Sequence, residues 1–386
     1  MNIPLTVERA LGLAGLKPDS DFVRSITDTL RRALAGKEPE VRPRPATTGE
    51  PARKAAAVVD VDAHWLDIPD ASPSETVGGD VTHDAPHEAP RETSHDAPSA
   101  RGKRSGEFLG FTFTSSAGTR AYKLYVPASY TGQPAPLVVM LHGCKQDPDD
   151  FATGTRMNLL AERDGFLVAY PAQARNANGS NCWNWFRAED QERARGEPAI
   201  IAGITREIAN AYAVDKQRIF VAGLSAGAAM AVILGETFPE LFKGVGAHSG
   251  LPYRAAHDVV SAFAAMGAGA PQTATFKAKP VRTIVFHGDR DTTVNPGNGD
   301  AITQRAAAAF EGAEPLRAET HAGKANGGDY TRAIYRGPDG KPEVEHWVVQ
   351  GAAHAWSGGD ARGSYAVARG PDASEEMLRF FMARGA

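Results

Sequence analysis

The sequence predicts an α/β fold, a mostly parallel central sheet flanked by helices, beginning near residue 104 and running to the C-terminus. Three observations predict it. Short β-rich runs recur: FLGFTF at 108–113, YKLYV at 122–126, LVVML at 137–141, FLVAY at 166–170, RIFVAG at 218–223, VGAHSG at 245–250, TIVFHG at 283–288 and HWVV at 346–349. Helical stretches alternate with them, around 156–164, 200–213, 226–238, 298–310 and 373–383, as parallel strands with crossover helices require. The runs are continuously apolar, as in strands covered on both faces. In such sheets the chemistry gathers beyond the carboxyl ends of the strands.

The first hundred residues read differently. In residues 1–36, Phe22, Val23, Ile26, Leu30, Ala33 and Leu34 recur at helical spacing, with Arg24, Asp28, Arg31 and Arg32 between them. This predicts a short amphipathic helix that docks on the main domain or on a second copy; the sharper alternative is contact with a partner or a polymer granule. Residues 37–103 are rich in Pro, Ala, Asp, Glu and Thr, with near-repeats HDAP (83–86), HEAP (87–90) and HDAP (95–98). Too little apolar surface is present to offset the entropy of ordering them, so a disordered linker is expected. Nothing near His83, His87 and His95 would fix a metal geometry, and no metal site is expected.

Composition narrows the function classes. The 386 residues are 42% hydrophobic, enough for a sizeable core, and the formal charge is only -4. A strongly basic face for nucleic acid is therefore not expected. No apolar run reaches the roughly 18 residues of a membrane span. The opening MNIPLTVERALGLAGL lacks the basic start and apolar centre of a secretory signal, which predicts a cytoplasmic protein. Two cysteines, Cys144 and Cys182, are too few for a disulfide scaffold or a four-cysteine zinc site.

After RIFVAG comes Gly223-Leu224-Ser225-Ala226-Gly227, a G-x-S-x-G turn between a buried strand and the small-residue helix AGAAMAVILGETF. The glycines suit a turn too sharp for neighbouring side chains. The serine is thereby held above the sheet at a helix N-terminus, whose dipole favours developing negative charge. Ser225 is the candidate nucleophile, against the alternative of a purely structural turn.

A serine hydroxyl needs a base, and the base needs an acid to fix its tautomer. In the α/β-hydrolase fold they follow in the order Ser, Asp or Glu, His. TIVFHG leads into Asp289-Arg290-Asp291-Thr292-Thr293-Val294, and the pattern H-G-x-x-D-x-x-V places the acid at Asp291, with Asp289 as a turn residue. HWVVQ leads into Gly351-Ala352-Ala353-His354, a small-residue loop presenting the candidate base. Among its rivals, His346 opens a strand, His321 lies in an isolated polar segment, and His248 and His287 sit at strand ends as core residues. The oxyanion needs two backbone donors: the N–H of Ala226 and, from the loop His142-Gly143-Cys144 after LVVML, that of Cys144. Trp183, Trp185 and Trp356 are candidate apolar walls for an ester's acyl chain or ring, or else packing residues.

Several motifs carry a wider resemblance: LHGCKQ (141–146), NCWNWF (181–186), VDKQRIFVAGLSAGAAM (214–230), HSGLPY (248–253), HGDRDTTVNP (287–296) and GAAHAWSGG (351–359). From about 107 to 383 the chain resembles the polyhydroxybutyrate depolymerase-type esterases, a group that includes feruloyl and acetyl-xylan esterases. Its one small departure is Ala228, where many relatives have glycine. The resemblance implies an α/β-hydrolase domain, a triad at Ser225, Asp291 and His354, an oxyanion hole at Cys144 and Ala226, and a Cys144–Cys182 disulfide. The residues alone would equally allow two buried thiols, kept reduced in a cytoplasm. The expected activity is serine carboxylester hydrolysis through an acyl-enzyme, without cofactor, on short-chain polyhydroxyalkanoate-type polyesters, their oligomers or small esters. Feruloyl or acetyl-xylan ester hydrolysis is the alternative. A non-catalytic binding protein on a hydrolase scaffold, recruiting partners through residues 1–36, is the reading from outside catalysis.

Overall fold

The structure, a computed structural model, describes residues 105–270, 279–310 and 315–383. The helix expected over 1–36 and the linker expected over 37–103 lie outside them.

Ten strands form one sheet in the order β1-β2-β4-β3-β5-β6-β7-β10-β9-β8. They are β1 (Glu107–Ser115), β2 (Gly118–Val126), β3 (Ala135–Leu141), β4 (Leu167–Pro171), β5 (Val214–Leu224), β6 (Gly244–His248), β7 (Arg282–Gly288), β8 (Arg317–Ala325), β9 (Gly328–Arg336) and β10 (Pro342–Val349). The centre, from β4 through β3, β5, β6 and β7 to β10, is parallel. Antiparallel strands extend it on both sides, β2 and β1 on one, β9 and β8 on the other.

The central strands are buried on both faces. In β3, Leu137, Val139 and Leu141 pack into one core and Val138 and Met140 into the other. Helices α3 (Gly196–Ala211) and α4 (Ala226–Thr237) cover the first face through Ile200, Ile204, Met230 and Ile233. Helices α1 (Pro148–Thr155), α2 (Met157–Asp164) and α7 (Ala373–Met382) cover the second through Phe151, Met157, Met377 and Phe381. Helix α6 (Gly297–Ala309) packs on β7 and β10, and helix α5 (Val259–Ala268) is tied to its start by Asn298 Nδ2 donating to Ala265 O at 2.9 Å. No helix among the described residues is long and apolar enough to cross a membrane.

The structure adds elements beyond those expected. Helix α1 starts at Pro148, and the Asp147 side chain caps it by accepting the amides of Asp149 and Asp150 at 3.0 and 2.9 Å. The β8–β9 hairpin turns at Asn326 and Gly327, both at positive φ (43° and 73°), so His321 lies within β8 rather than in an isolated segment. His346 is inside β10, not at its start, and is buried.

Candidate active site

Ser225 ends the turn between β5 and α4 with φ 57° and ψ -120°, a conformation that ordinary side chains avoid at a cost of about 1–3 kcal/mol. Its neighbours show why the turn reads G-x-S-x-G. A Cβ on Gly223 would lie 2.5 Å from the Gly227 carbonyl carbon, and one on Gly227 would lie 2.1 Å from Leu141 O. The turn is held by the Ser225 amide donating to His248 O at 2.9 Å and by Ser225 O accepting from Ala229 N at 3.0 Å.

Asp291 and His354 meet across two loops, His354 Nδ1 lying 2.7 Å from Asp291 Oδ2. The other carboxylate oxygen accepts the amides of Thr293 and Val294, both at 2.9 Å, which fixes the carboxylate plane. The two loops are stitched together: Gly351 N donates to Asp289 Oδ1 at 2.6 Å and Arg290 N to Ala352 O at 3.0 Å. Asp289 is thus the loop tie. Any Cβ on Gly288 would fall 2.3 Å from Ala352 O, so the close approach of the two loops demands glycine there. Burial alone would raise the Asp291 pKa, yet contacts from His287 and His354 and the Val294 amide outweigh it and hold the carboxyl well below its usual range. A carboxylate oxygen of Asp291 beside Nδ1 makes that nitrogen the donor, so Nε2 is the nitrogen that the neutral ring offers as an acceptor.

His248 links these loops to the serine turn. Its carbonyl takes the Ser225 amide and its Nε2 accepts the amide of Ser357, three residues after His354, at 3.1 Å. The ring is stacked between Trp356 and Phe286. Burial lowers its pKa to about 3, so it stays neutral. Among the described residues, no hydrogen bond joins Ser225 Oγ to His354. Such bonds are often long before a substrate is present and tighten in the reacting complex.

The loop after β3 approaches the serine turn: a Cβ on Gly227 would lie 2.6 Å from His142 O, and one on Gly143 3.5 Å from Leu224 O. Ala226 is the first residue of α4, so the helix does not use its amide. The amide of Cys144 has no acceptor among the described residues, whereas Gly143 N donates to Gln146 Oε1 at 2.9 Å and Lys145 N to Ser180 O at 2.7 Å. Cys144 is disulfide-bonded to Cys182, which ties this loop to the NCWNWF segment. That segment is anchored by the buried carboxylate of Glu197, which accepts the Asn184 amide and its side-chain Nδ2, each at 2.7 Å.

The three tryptophans face inward. Trp183, Trp185 and Trp356 are 0%, 5% and 1% exposed, with Trp183 Nε1 donating to His142 O and Trp356 Nε1 to Ser374 Oγ. They back the loops and leave little ring surface for a substrate to touch. Sequence reasoning missed Gln146 and Glu197. The first stood in the quoted motif LHGCKQ; the second carried no local signal.

The family model described as "Esterase PHB depolymerase" matches residues 120–313. The chain belongs to this family. The matched span contains Cys144, Cys182, Ser225 and Asp291 and ends before His354. Poly(3-hydroxyalkanoate) depolymerase C of Paucimonas lemoignei is 29% identical over 275 residues, covering 67% of this chain and 64% of that protein. Feruloyl esterase B of Neurospora crassa is 33% identical over 131 residues, covering 33% of this chain and 43% of that protein. The chain thus spans less than two thirds of the length of either relative. Among solved structures, an acetyl xylan esterase from Aspergillus awamori matches with a TM-score of 0.54 at 19% identity, covering 71% of this chain and 98% of that one, and shares the α/β-hydrolase fold.

Proposed function

We propose that this member of the esterase PHB depolymerase family is a serine carboxylester hydrolase that works through an acyl-enzyme. The observation that carries the reading is the 2.7 Å contact of His354 Nδ1 with an ionised Asp291, tied through His248 to the strained turn that bears Ser225. In this mechanism Nε2 of His354 takes the Ser225 proton as Oγ attacks the ester carbonyl. The amides of Cys144 and Ala226 hold the tetrahedral oxyanion. The alcohol departs with the proton from His354, and a water activated by the same imidazole releases the acid, while Asp291 orients the ring and stabilises its cation.

The substrates we propose are short-chain hydroxyalkanoate polyesters, their oligomers and small aliphatic esters, supported by the depolymerase named among the relatives. The disulfide fits an oxidising compartment better than the cytoplasm expected from the N-terminal residues.

Hydrolysis of amorphous polyhydroxybutyrate, methyl ferulate, acetylated xylan and p-nitrophenyl butyrate, with Ser225→Ala alongside, tests the reading. The variant is expected to lose on the order of 10⁶ in kcat while staying folded. Comparable activity in the variant, or no labelling of the native protein by a fluorophosphonate, overturns the enzyme reading. Preference for ferulate or acetylated xylan overturns the polyester assignment alone.

A further inference from the structure

With the tryptophans buried, the wall that recognises the apolar part of an ester has to be sought elsewhere. Five large apolar residues are exposed among the described ones: Phe111, Leu159, Val260, Tyr365 and Val367. Two of them, Tyr365 at 43% and Val367 at 39%, lie two positions apart in the segment that follows His354.

Hydrogen bonds on both sides locate Tyr365. Its carbonyl accepts the amide of Trp356, two residues beyond His354, at 2.7 Å. The preceding residue, Ser364, donates its amide to Asp150 Oδ1 at 2.7 Å and accepts Gln146 Nε2 at its carbonyl at 2.8 Å. Gln146 in turn holds Gly143, next to Cys144. Tyr365 is therefore slung between the loop of the proposed base and the loop of a proposed oxyanion donor. Its φ is 50°, a region that a bulky aromatic rarely adopts and that glycine adopts freely. The chain thus holds a tyrosine at positive φ, 43% exposed, in a segment hydrogen-bonded to both loops. Non-glycine residues at positive φ cluster at active sites and ligand clamps, which makes an exposed aromatic in this segment a candidate substrate contact.

We propose that Tyr365, with Val367 beside it, is a specificity-determining residue whose ring lies against the hydrocarbon portion of the ester. The proposal rests on the reading of Ser225, His354 and Asp291 as an ester-cleaving site and names what that site prefers: aliphatic esters with several carbons on the contacted side. The contacted hydrocarbon is either the acyl chain or the alcohol, and two series separate them.

The measurement is kcat/KM for p-nitrophenyl acetate against octanoate, and for methyl against octyl butyrate. For Tyr365→Ala the long-to-short ratio is expected to fall about tenfold in one series, as loss of an apolar contact of this size does. Tyr365→Phe should keep that ratio within about twofold, since the ring face remains. Val367→Ala should move it in the same direction by less, and Leu159→Ala, on α2, should not move it. An unchanged ratio for Tyr365→Ala in both series overturns the proposal. If Ser225→Ala is inactive while that ratio is unchanged, only this inference fails. If Ser225→Ala remains active, the hydrolase reading fails and takes this one with it.

Discussion

The side-chain carbonyl of Gln146 accepts the amide of Gly143 at 2.9 Å. That bond consumes the Gly143 N–H and leaves the next amide, that of Cys144, without an acceptor. Gln146 is itself fixed through Nε2 by Asp150 Oδ2 at 3.0 Å and Ser364 O at 2.8 Å, so the loop that would stabilise an oxyanion is set before substrate arrives. Gln146→Met should lower kcat for p-nitrophenyl butyrate on the order of 10²-fold, the effect of losing one oxyanion donor, with little change in KM. Gln146→Glu keeps an acceptor for Gly143 but sets a second carboxylate oxygen against Asp150 Oδ2 and Ser364 O, so it should lower kcat as well at neutral pH. Equal kcat in Gln146→Met and the native enzyme would remove Gln146 from this role.

Acid should destabilise the fold earlier than carboxylates alone would dictate. His248 and His346 are pushed by burial to about 3 and about 4, and burial also lowers His142, all from an unfolded value near 6.5. A depressed folded pKa means the unfolded chain binds more protons below pH 6.5. The stability from keeping these rings neutral is therefore complete above pH 6.5 and lost as pH falls toward the folded values. Each unit difference in bound protons steepens the loss by about 1.4 kcal/mol per pH unit. Asp291 acts in the same direction, but only below about pH 4, the unfolded carboxyl range. Tm should thus decline from pH 6.5 downward; a Tm flat between pH 7 and 5 would contradict the assignment of these histidines as buried and neutral.

Reduction of the Cys144–Cys182 bond should affect both stability and rate. The bridge spans a sequence separation of 38, for which a disulfide contributes about 2–4 kcal/mol. It also fastens the Cys144 amide to a segment held by Glu197. Dithiothreitol is expected to lower Tm by several degrees and to reduce kcat more than it raises KM. Unchanged kcat in fully reduced, still folded protein would remove the disulfide from setting the loop and leave it to Gln146 and the Lys145 N–Ser180 O bond.

What was legible in the sequence follows from where the physical constraint acts. The central strands were legible because burial on both faces leaves continuous apolar runs, as in LVVML. The serine turn was legible because its steric demand falls on Gly223 and Gly227, two positions either side. Strand β8 was missed because RAETHAGKA lies mostly in solvent and carries little apolar pattern, and β9 because GDYTRAIYR is half-buried along its length, with Ile334 its one fully buried apolar side chain. The Asn326-Gly327 pair was the available signal, since both residues take the positive φ that a tight hairpin needs. The tryptophans were ambiguous because an aromatic near a catalytic motif reads the same whether it lines a cleft or fills a core. Glu197 was invisible because its partners Gln173 and Asn184 are distant in sequence and meet only in the folded chain.

The backbone strain at Ser225 can be weighed separately from its chemistry. Ser225→Ala removes the hydroxyl but keeps a Cβ at φ 57°, so the strain remains. Ser225→Gly removes both, relieving about 1–3 kcal/mol. Against this, glycine adds about 0.5–1 kcal/mol of unfolded-state entropy relative to alanine. The glycine variant should therefore be at least as stable, by about 0–2.5 kcal/mol in urea denaturation, although both lack the proposed nucleophile. Gly227→Ala should behave oppositely, because its new methyl would sit 2.1 Å from Leu141 O and 2.6 Å from His142 O. Those are backbone oxygens of β3 and the loop after it, which cannot swing aside as a side chain would, so a loss of about 3 kcal/mol or more is expected. If Ser225→Ala instead proves the more stable by the full glycine entropy of about 0.5–1 kcal/mol, the turn holds no strain, and the inference from strain to function at Ser225 falls with it.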